Sequence, residues 1–92
     1  MIITPRMLEQ HGACKDELDI FTDEWPKGVK VTEESCLGAV ELRLDIDWVA
    51  ESFFPNTHWE AYRKAIASHR EAYHEAYIKS KAIEFAKQAA LI

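Results

Sequence analysis

Hydrophobic residues in the first 55 positions recur at helical spacing in short segments separated by Gly and Pro. The two clearest segments carry apolar positions three or four residues apart, at Cys14, Leu18, Phe21 and Trp25 and at Ile46, Val49, Ala50 and Phe53. Such spacing places side chains on one face of an α-helix. Together with two weaker segments, around Leu8 and around Cys36, the pattern predicts four short helices.

Capping residues and helix breakers mark where these four helices begin and end. Thr4, Thr32 and Asp45 are suited to accept backbone hydrogen bonds at the first, third and fourth helix N-termini. Gly12, the Pro26–Gly28 segment and Pro55 are suited to end helices. Val29–Val31 is predicted to be an extended link that is too short for a sheet. Gly38 lies inside the third helix, where it would allow a neighbouring backbone to approach closely.

The last third of the chain repeats the triplet Glu-Ala-Tyr, at residues 60–62, 71–73 and 75–77. The first two copies are eleven residues apart, which is close to three turns of an α-helix. Residues 57–92 contain neither Gly nor Pro, and Thr57 and Glu60 could form a capping box. We therefore expect one helix about 50 Å long. It would extend beyond a helical head, residues 1–56, whose diameter would be roughly 26 Å.

The predicted long helix has apolar residues on two opposite faces. One face, which we expect to pack on the head, contains Trp59, Tyr62, Ile66, Tyr73 and Tyr77. The opposite face has the a/d spacing of a two-heptad coiled coil. We call it the C-terminal seam, and it consists of Ile78, Ala82, Phe85, Ala89 and Ile92. The seam is a candidate homodimer contact or partner-binding surface, although an alanine-rich, frayed terminus would give a similar pattern.

Charge is distributed unevenly along the chain. Residues 1–56 carry a formal charge of −7 and residues 57–92 carry +2. An acidic head argues against direct nucleic-acid binding, which requires Lys and Arg against phosphate. It fits docking on a basic protein surface, and it equally fits a role in solubility. The candidate partner-binding residues are Asp16, Asp19, Asp23, Glu24, Asp45, Asp47 and Glu51.

Residues with reactive or metal-binding side chains form no recognisable catalytic motif. His11 and Cys14, with Cys36 and His58, could in principle supply zinc ligands, but paired motifs such as CxxC are absent from the sequence. Two buried structural cysteines, too few for a disulfide scaffold, are the more common arrangement. The acidic edge at Asp45, Asp47 and Glu51 is explained by helix capping and the helix dipole. We therefore expect no cofactor, no metal and no enzymatic activity.

Several segments of the head resemble a group of small phage and prophage proteins of uncharacterised function. The resemblance is carried by His11-Gly12-Ala13-Cys14, Phe21, the Trp25–Val29 segment, Val31-Thr32-Glu33 and the Leu44–Ala50 segment. In that group a similar helical head precedes eleven-residue tail repeats built on Ala-Glu-Tyr. The motifs look structural and transfer no catalytic residue. The resemblance implies a phage origin, and small acidic phage proteins are often inhibitors of host defences such as CRISPR complexes.

These observations predict an all-α, single-domain protein with four short helices packed on one long C-terminal helix. The leading functional hypothesis is a non-enzymatic protein-binding protein, an anti-CRISPR-type inhibitor that occludes a basic or nucleic-acid-binding surface. The alternatives are a homodimer joined through the C-terminal seam and a small metal-dependent enzyme. The sequence shows no secretion leader and no apolar run near twenty residues, so we expect a cytoplasmic protein without membrane contact. The resemblance to phage proteins implies that this cytoplasm is that of a bacterial host.

Overall fold

The computed structural model of the chain describes residues 1–68 and 74–92, with only the backbone described for His74. Within these residues it is predominantly helical, which confirms the all-α prediction. The elements in chain order are β1 (Ile2–Ile3), α1 (Pro5–Gln10), α2 (Lys15–Glu24), β2 (Val29–Lys30), α3 (Glu33–Glu41), α4 (Ile46–Phe53), α5 (Asn56–Ala67) and α6 (His74–Leu91).

The helices of the head begin where the capping residues predict. The Thr4 hydroxyl accepts a hydrogen bond from the Met7 backbone N–H at 3.2 Å, and the Asp45 carboxylate accepts one from Trp48 N–H at 3.1 Å. At α3, Thr32 accepts from Ser35 N–H while the Ser35 hydroxyl accepts from Thr32 N–H. These bonds satisfy amide groups that the first helical turn leaves without partners. Local sequence therefore determines these three helix starts.

The predicted extended link is part of a small sheet, so the expectation that it is too short to pair is wrong. β2 pairs antiparallel with β1, with Ile3 opposite Val29. Gly28 makes the approach possible, because its φ is +95° and a Cβ atom there would lie 2.9 Å from the Ile3 carbonyl oxygen. The missed partner is the chain start, about 27 residues away in sequence, which a local pattern does not reveal.

The C-terminal third forms two helices packed against each other, so the prediction of one long helix is wrong. The rings of Tyr62 and Phe85 have centroids 5.9 Å apart. In a continuous helix, 23 residues would separate them by about 35 Å. The Thr57 capping box is also wrong, since α5 starts at Asn56 after Pro55 and has no side-chain cap. Glu71-Ala72-Tyr73 lies outside the described residues.

The turn back between α5 and α6 has a physical reason in the two apolar faces. A straight helix would bury one face and leave the other in water, whereas a hairpin directs both faces towards the same core. α5 ends at Ala67, and the Ser68 hydroxyl donates a hydrogen bond to the Ala65 carbonyl at 2.8 Å. The molecule measures 33 × 26 × 20 Å, long enough to contain the 18 residues of α6 without an overhang.

The core joins the head to the helical hairpin. α6 packs against α3 and α5, and α4 packs against both α3 and α5. At the centre are Phe54, the completely buried Tyr62 and Phe85, with ring centroids 4.8–6.3 Å apart. Aromatic groups at such separations stabilise each other beyond their burial. The head and the hairpin therefore share one aromatic cluster.

Candidate functional sites on the helical head

The outer face of α2 is acidic. Asp16, Asp19 and Asp23 are exposed and spaced at i, i+3 and i+7, which places them on one face of the helix. Leu18, Phe21 and Trp25 point towards the interior of the head, where they are buried or half-buried. In residues 1–68 and 75–92 the ion pairs are Glu60–Arg63, Glu75–Lys79 and Asp47–Lys81. The acids of α2 therefore carry charge that this part of the chain does not neutralise.

A hydrogen bond brings the start of α4 next to the start of α2. The Asp45 backbone N–H donates to Oε1 of Glu17 at 2.7 Å. Asp45 is exposed, so its carboxylate adds to the negative charge near Asp16. Glu24 and Glu51 are also exposed. We define the acidic face by the exposed carboxylates of these two helices, which are Asp16, Asp19, Asp23, Glu24, Asp45 and Glu51.

Among the described residues, Asp47 differs from the other acids of the predicted partner-binding set, because its carboxylate has side-chain partners on other helices. Its carboxylate accepts a hydrogen bond from the Tyr62 hydroxyl at 2.5 Å and forms an ion pair with Lys81 at 2.9 Å. The ion pair connects α4 to α6, and the hydrogen bond connects α4 to α5. Burial, followed by the hydrogen bond and the negative charge of Asp47, raises the pKa of Tyr62. Asp47 is therefore engaged inside the chain and is not a free docking residue.

Most of the C-terminal seam is buried against other parts of the chain. The expectation that the seam overhangs the head as an exposed surface is therefore wrong. Ala82, Phe85 and Ala89 are each at most 2% exposed. Ile78 is half-buried, and Ile92 alone among the five seam residues is exposed. The seam's centre packs on α3 and α5 because that removes its apolar surface from water. A dimer through these three side chains would require α6 to leave the core.

The histidines and cysteines singled out by the sequence occupy separate environments. His11 Nδ1 lies 3.0 Å from the Met7 carbonyl oxygen, and His58 Nδ1 lies 3.0 Å from Gln88 Oε1. Cys14 is exposed and Cys36 is buried. Burial raises the pKa of the Cys36 thiol from 9.0 to about 12. Among the described residues, no three His, Cys, Asp or Glu side chains are grouped so as to hold a metal ion.

A cavity of about 320 Å³ that is open to solvent on one side lies in the head, and sequence analysis did not predict it. Its walls are mostly apolar and come from the helices α1 to α4 and the strand pair, with Phe85 of α6 contributing as well. Three of the residues that line it are small, namely Gly12, Ala13 and Ala39. Apolar helix faces indicate that residues are buried, but they do not show whether the enclosed volume is filled.

No protein-family model, curated protein or solved structure matches this chain. In the described part of the chain, no helix is both long enough and apolar enough to cross a membrane.

Proposed function

We propose that this chain is a non-enzymatic binding protein whose acidic face docks on a basic surface of a partner protein. The partner surface is of the kind that normally holds nucleic acid, and binding occludes it. In this proposal the chain is a phage-encoded inhibitor of a host defence complex, of the anti-CRISPR type, and acts in the bacterial cytoplasm. The observation that carries the proposal is the row of exposed acids on α2 that lacks ion pairs within the described residues.

The position of these acids supports a role other than stability. Asp23 and Glu24 lie in the last turn of α2, and that turn contains no basic residue. The C-terminal end of a helix carries partial negative charge, so acids there are unfavourable by a few tenths of a kcal/mol. A partner that supplies Lys or Arg side chains would neutralise this repulsion and accelerate association. Asp23 and Glu24 are thus unfavourable in isolation and favourable against a basic surface, whereas Asp16, in the first turn, is favourable in both.

The proposal is tested by capture from bacterial host lysate, followed by identification of the captured protein and measurement of its affinity in purified form. The variant Asp16→Lys/Asp19→Lys/Asp23→Lys reverses the α2 charges. A matched control, Glu34→Lys/Glu41→Lys/Glu75→Lys, makes the same change in net charge at exposed positions on α3 and α6.

We expect the α2 variant to lose binding of the purified partner and the control variant to retain most of it. Affinity for the unmodified chain should also fall as salt rises, because exposed charges are screened. Unchanged affinity in the α2 variant would contradict the proposal. Equal losses in both variants would show that net charge, and not this face, determines binding.

A further inference from the structure

The cavity in the head is open to solvent on one side, and it is larger than the gaps that ordinary packing leaves between side chains. Protein interiors are filled to crystal-like density and have few voids larger than a water molecule. At about 320 Å³, this cavity is roughly twice the volume of an apolar cavity known to hold benzene. It also reaches the lower end of the size range of small-molecule sites. A molecule with a fused two-ring body matches this volume.

The cavity wall is apolar and partly aromatic. Phe21, Trp25 and Trp48 contribute to it, and the Phe21 and Trp25 rings contact each other at a centroid distance of 5.1 Å. Cys36 also lines the cavity, and its buried thiol stays protonated at neutral pH. Aromatic rings bind flat apolar bodies well, and their faces also attract cations.

The charged residues that line the cavity, Glu17 and Asp45, are both acidic. Asp45 is exposed, as are Gly12 and Cys14, so these residues mark the opening of the cavity. Oε1 of Glu17 accepts a hydrogen bond from the backbone N–H of Asp45, and Oδ1 of Asp45 accepts one from the backbone N–H of Trp48. These bonds fix the two carboxylates, and in the described residues the second oxygen of each accepts no protein hydrogen bond. The opening is therefore a preorganised negative site next to an apolar interior.

We propose that the cavity binds a small molecule with an aromatic two-ring body and one protonated amine. The rings occupy the space among Phe21, Trp25 and Trp48, and the amine lies at the carboxylates of Glu17 and Asp45. This site shares Asp45 with the acidic face but otherwise lies in the cavity, and it stands whether or not a protein partner exists.

Three indoles that differ in the charge of one side chain test the class of ligand. Tryptamine is cationic, 3-ethylindole is neutral and indole-3-propionate is anionic. Binding is followed in ¹H–¹⁵N spectra through the indole N–H signals, assigned with Trp→Phe variants. Trp25 and Trp48 line the cavity and Trp59 does not, so Trp59 is an internal control.

We expect tryptamine to shift the Trp25 and Trp48 signals and to leave Trp59 unchanged. 3-Ethylindole should bind about fivefold more weakly and indole-3-propionate more weakly still. Equal binding of all three would overturn the assignment of an amine ligand. Absence of saturable shifts with tryptamine, or shifts that include Trp59 equally, would overturn the site.

Two kinds of variant separate charge from space. The variant Glu17→Gln/Asp45→Asn keeps both hydrogen-bond acceptors but removes their charge, so it should no longer prefer tryptamine over 3-ethylindole. The control Asp16→Asn/Glu34→Gln removes two charges that do not line the cavity, so it should keep that preference. Ala39→Leu adds three carbon atoms to the cavity wall, which narrows the space without filling it, and should weaken tryptamine binding in a protein that still folds. If Ala39→Leu does not fold, Ala13→Leu provides the same test. Unchanged tryptamine affinity in a folded variant with this narrowed cavity would contradict the proposal.

Discussion

The Asp47 carboxylate is the most heavily engaged acid in the described chain, with partners on two other helices. We expect Asp47→Ala to lower the free energy of unfolding by about 2–3 kcal/mol, because it leaves the fully buried Tyr62 hydroxyl without its hydrogen-bond acceptor and the largely buried Lys81 without its ion-pair partner. Urea denaturation measures the change. Asp19→Ala, at an exposed and unpaired position, is the control and should change stability little. Similar values for the two variants would contradict an internal role for Asp47.

Cys36 gives the protein a specific sensitivity to alkaline pH. Its pKa is raised by burial from 9.0 to about 12, so the folded state retains a proton that the unfolded state releases. The resulting stabilisation is complete below pH 9 and is lost as pH rises towards 12. The unfolding free energy of the wild type should therefore fall more steeply over this range than that of Cys36→Ala, by up to about 1.4 kcal/mol per pH unit. Parallel curves would contradict this expectation.

Among the elements, Gly28 immediately before β2 and Gly38 within α3 should respond in opposite ways to substitution by alanine. Gly28→Ala places a Cβ atom 2.9 Å from the Ile3 carbonyl at positive φ, and should destabilise the fold by about 1–3 kcal/mol. Gly38→Ala places its Cβ atom 3.8 Å from the Trp25 ring, an ordinary contact inside a helix. It should stabilise the fold by about 0.5–1 kcal/mol. Urea denaturation of both variants provides the test, and equal effects would contradict it.

The helical hairpin predicts how the C-terminal seam responds to mutation. Phe85→Ala should lower the unfolding free energy by about 3–5 kcal/mol, because it leaves a cavity beside Phe54 and Tyr62. Ile83→Ala is the control, because Ile83 lies on the same helix and is 46% exposed. Light scattering should give the same molecular mass for Phe85→Ala, Ile83→Ala and the wild type under conditions in which all three are folded to the same extent. Halved mass with intact stability in Phe85→Ala would favour the homodimer.

Helix starts and apolar faces in the head were predictable because their determinants are local. Thr4, Thr32 and Asp45 bond to amides three residues ahead, so a short sequence window contains both partners. The β1–β2 pair and the α5–α6 hairpin depend on contacts between distant residues. The two opposite apolar faces did signal that a straight helix would leave one uncovered. The acidic residues of α2 were identified from the sequence. The cavity was not, because whether side chains fill the space between four helices depends on how those helices pack together.

At the scale of the whole molecule, α2 has two different sides. Its outer side presents Asp16, Asp19 and Asp23 to solvent, while Leu18, Phe21 and Trp25 line the cavity. Glu17 lies at the boundary, where it accepts the Asp45 hydrogen bond and lines the opening. A protein docked on the acidic face would therefore lie next to the cavity opening. A ligand amine at Glu17 and Asp45 would reduce the negative charge that the partner meets.

The charge imbalance of the molecule predicts how salt affects its stability. The head carries a formal charge of −7, and at about 0.01 M salt the screening length of roughly 30 Å spans the 33 Å molecule. At about 0.15 M salt that length falls to roughly 8 Å, so repulsion among separated acids is largely removed. Urea denaturation, which adds no ions, should show that stability rises with salt between these conditions.

The variant Asp19→Asn/Asp23→Asn should show a smaller salt-dependent gain and should be more stable at low salt, by about 0.5 kcal/mol, because it removes two charges from α2. The Asp47–Lys81 ion pair is present in both proteins, so its own salt dependence cancels in the comparison. Identical salt dependence would show that these acids do not repel their neighbours appreciably. The expected result would mean that the acidic face lowers the stability of the free protein, as a surface suited to a basic partner would.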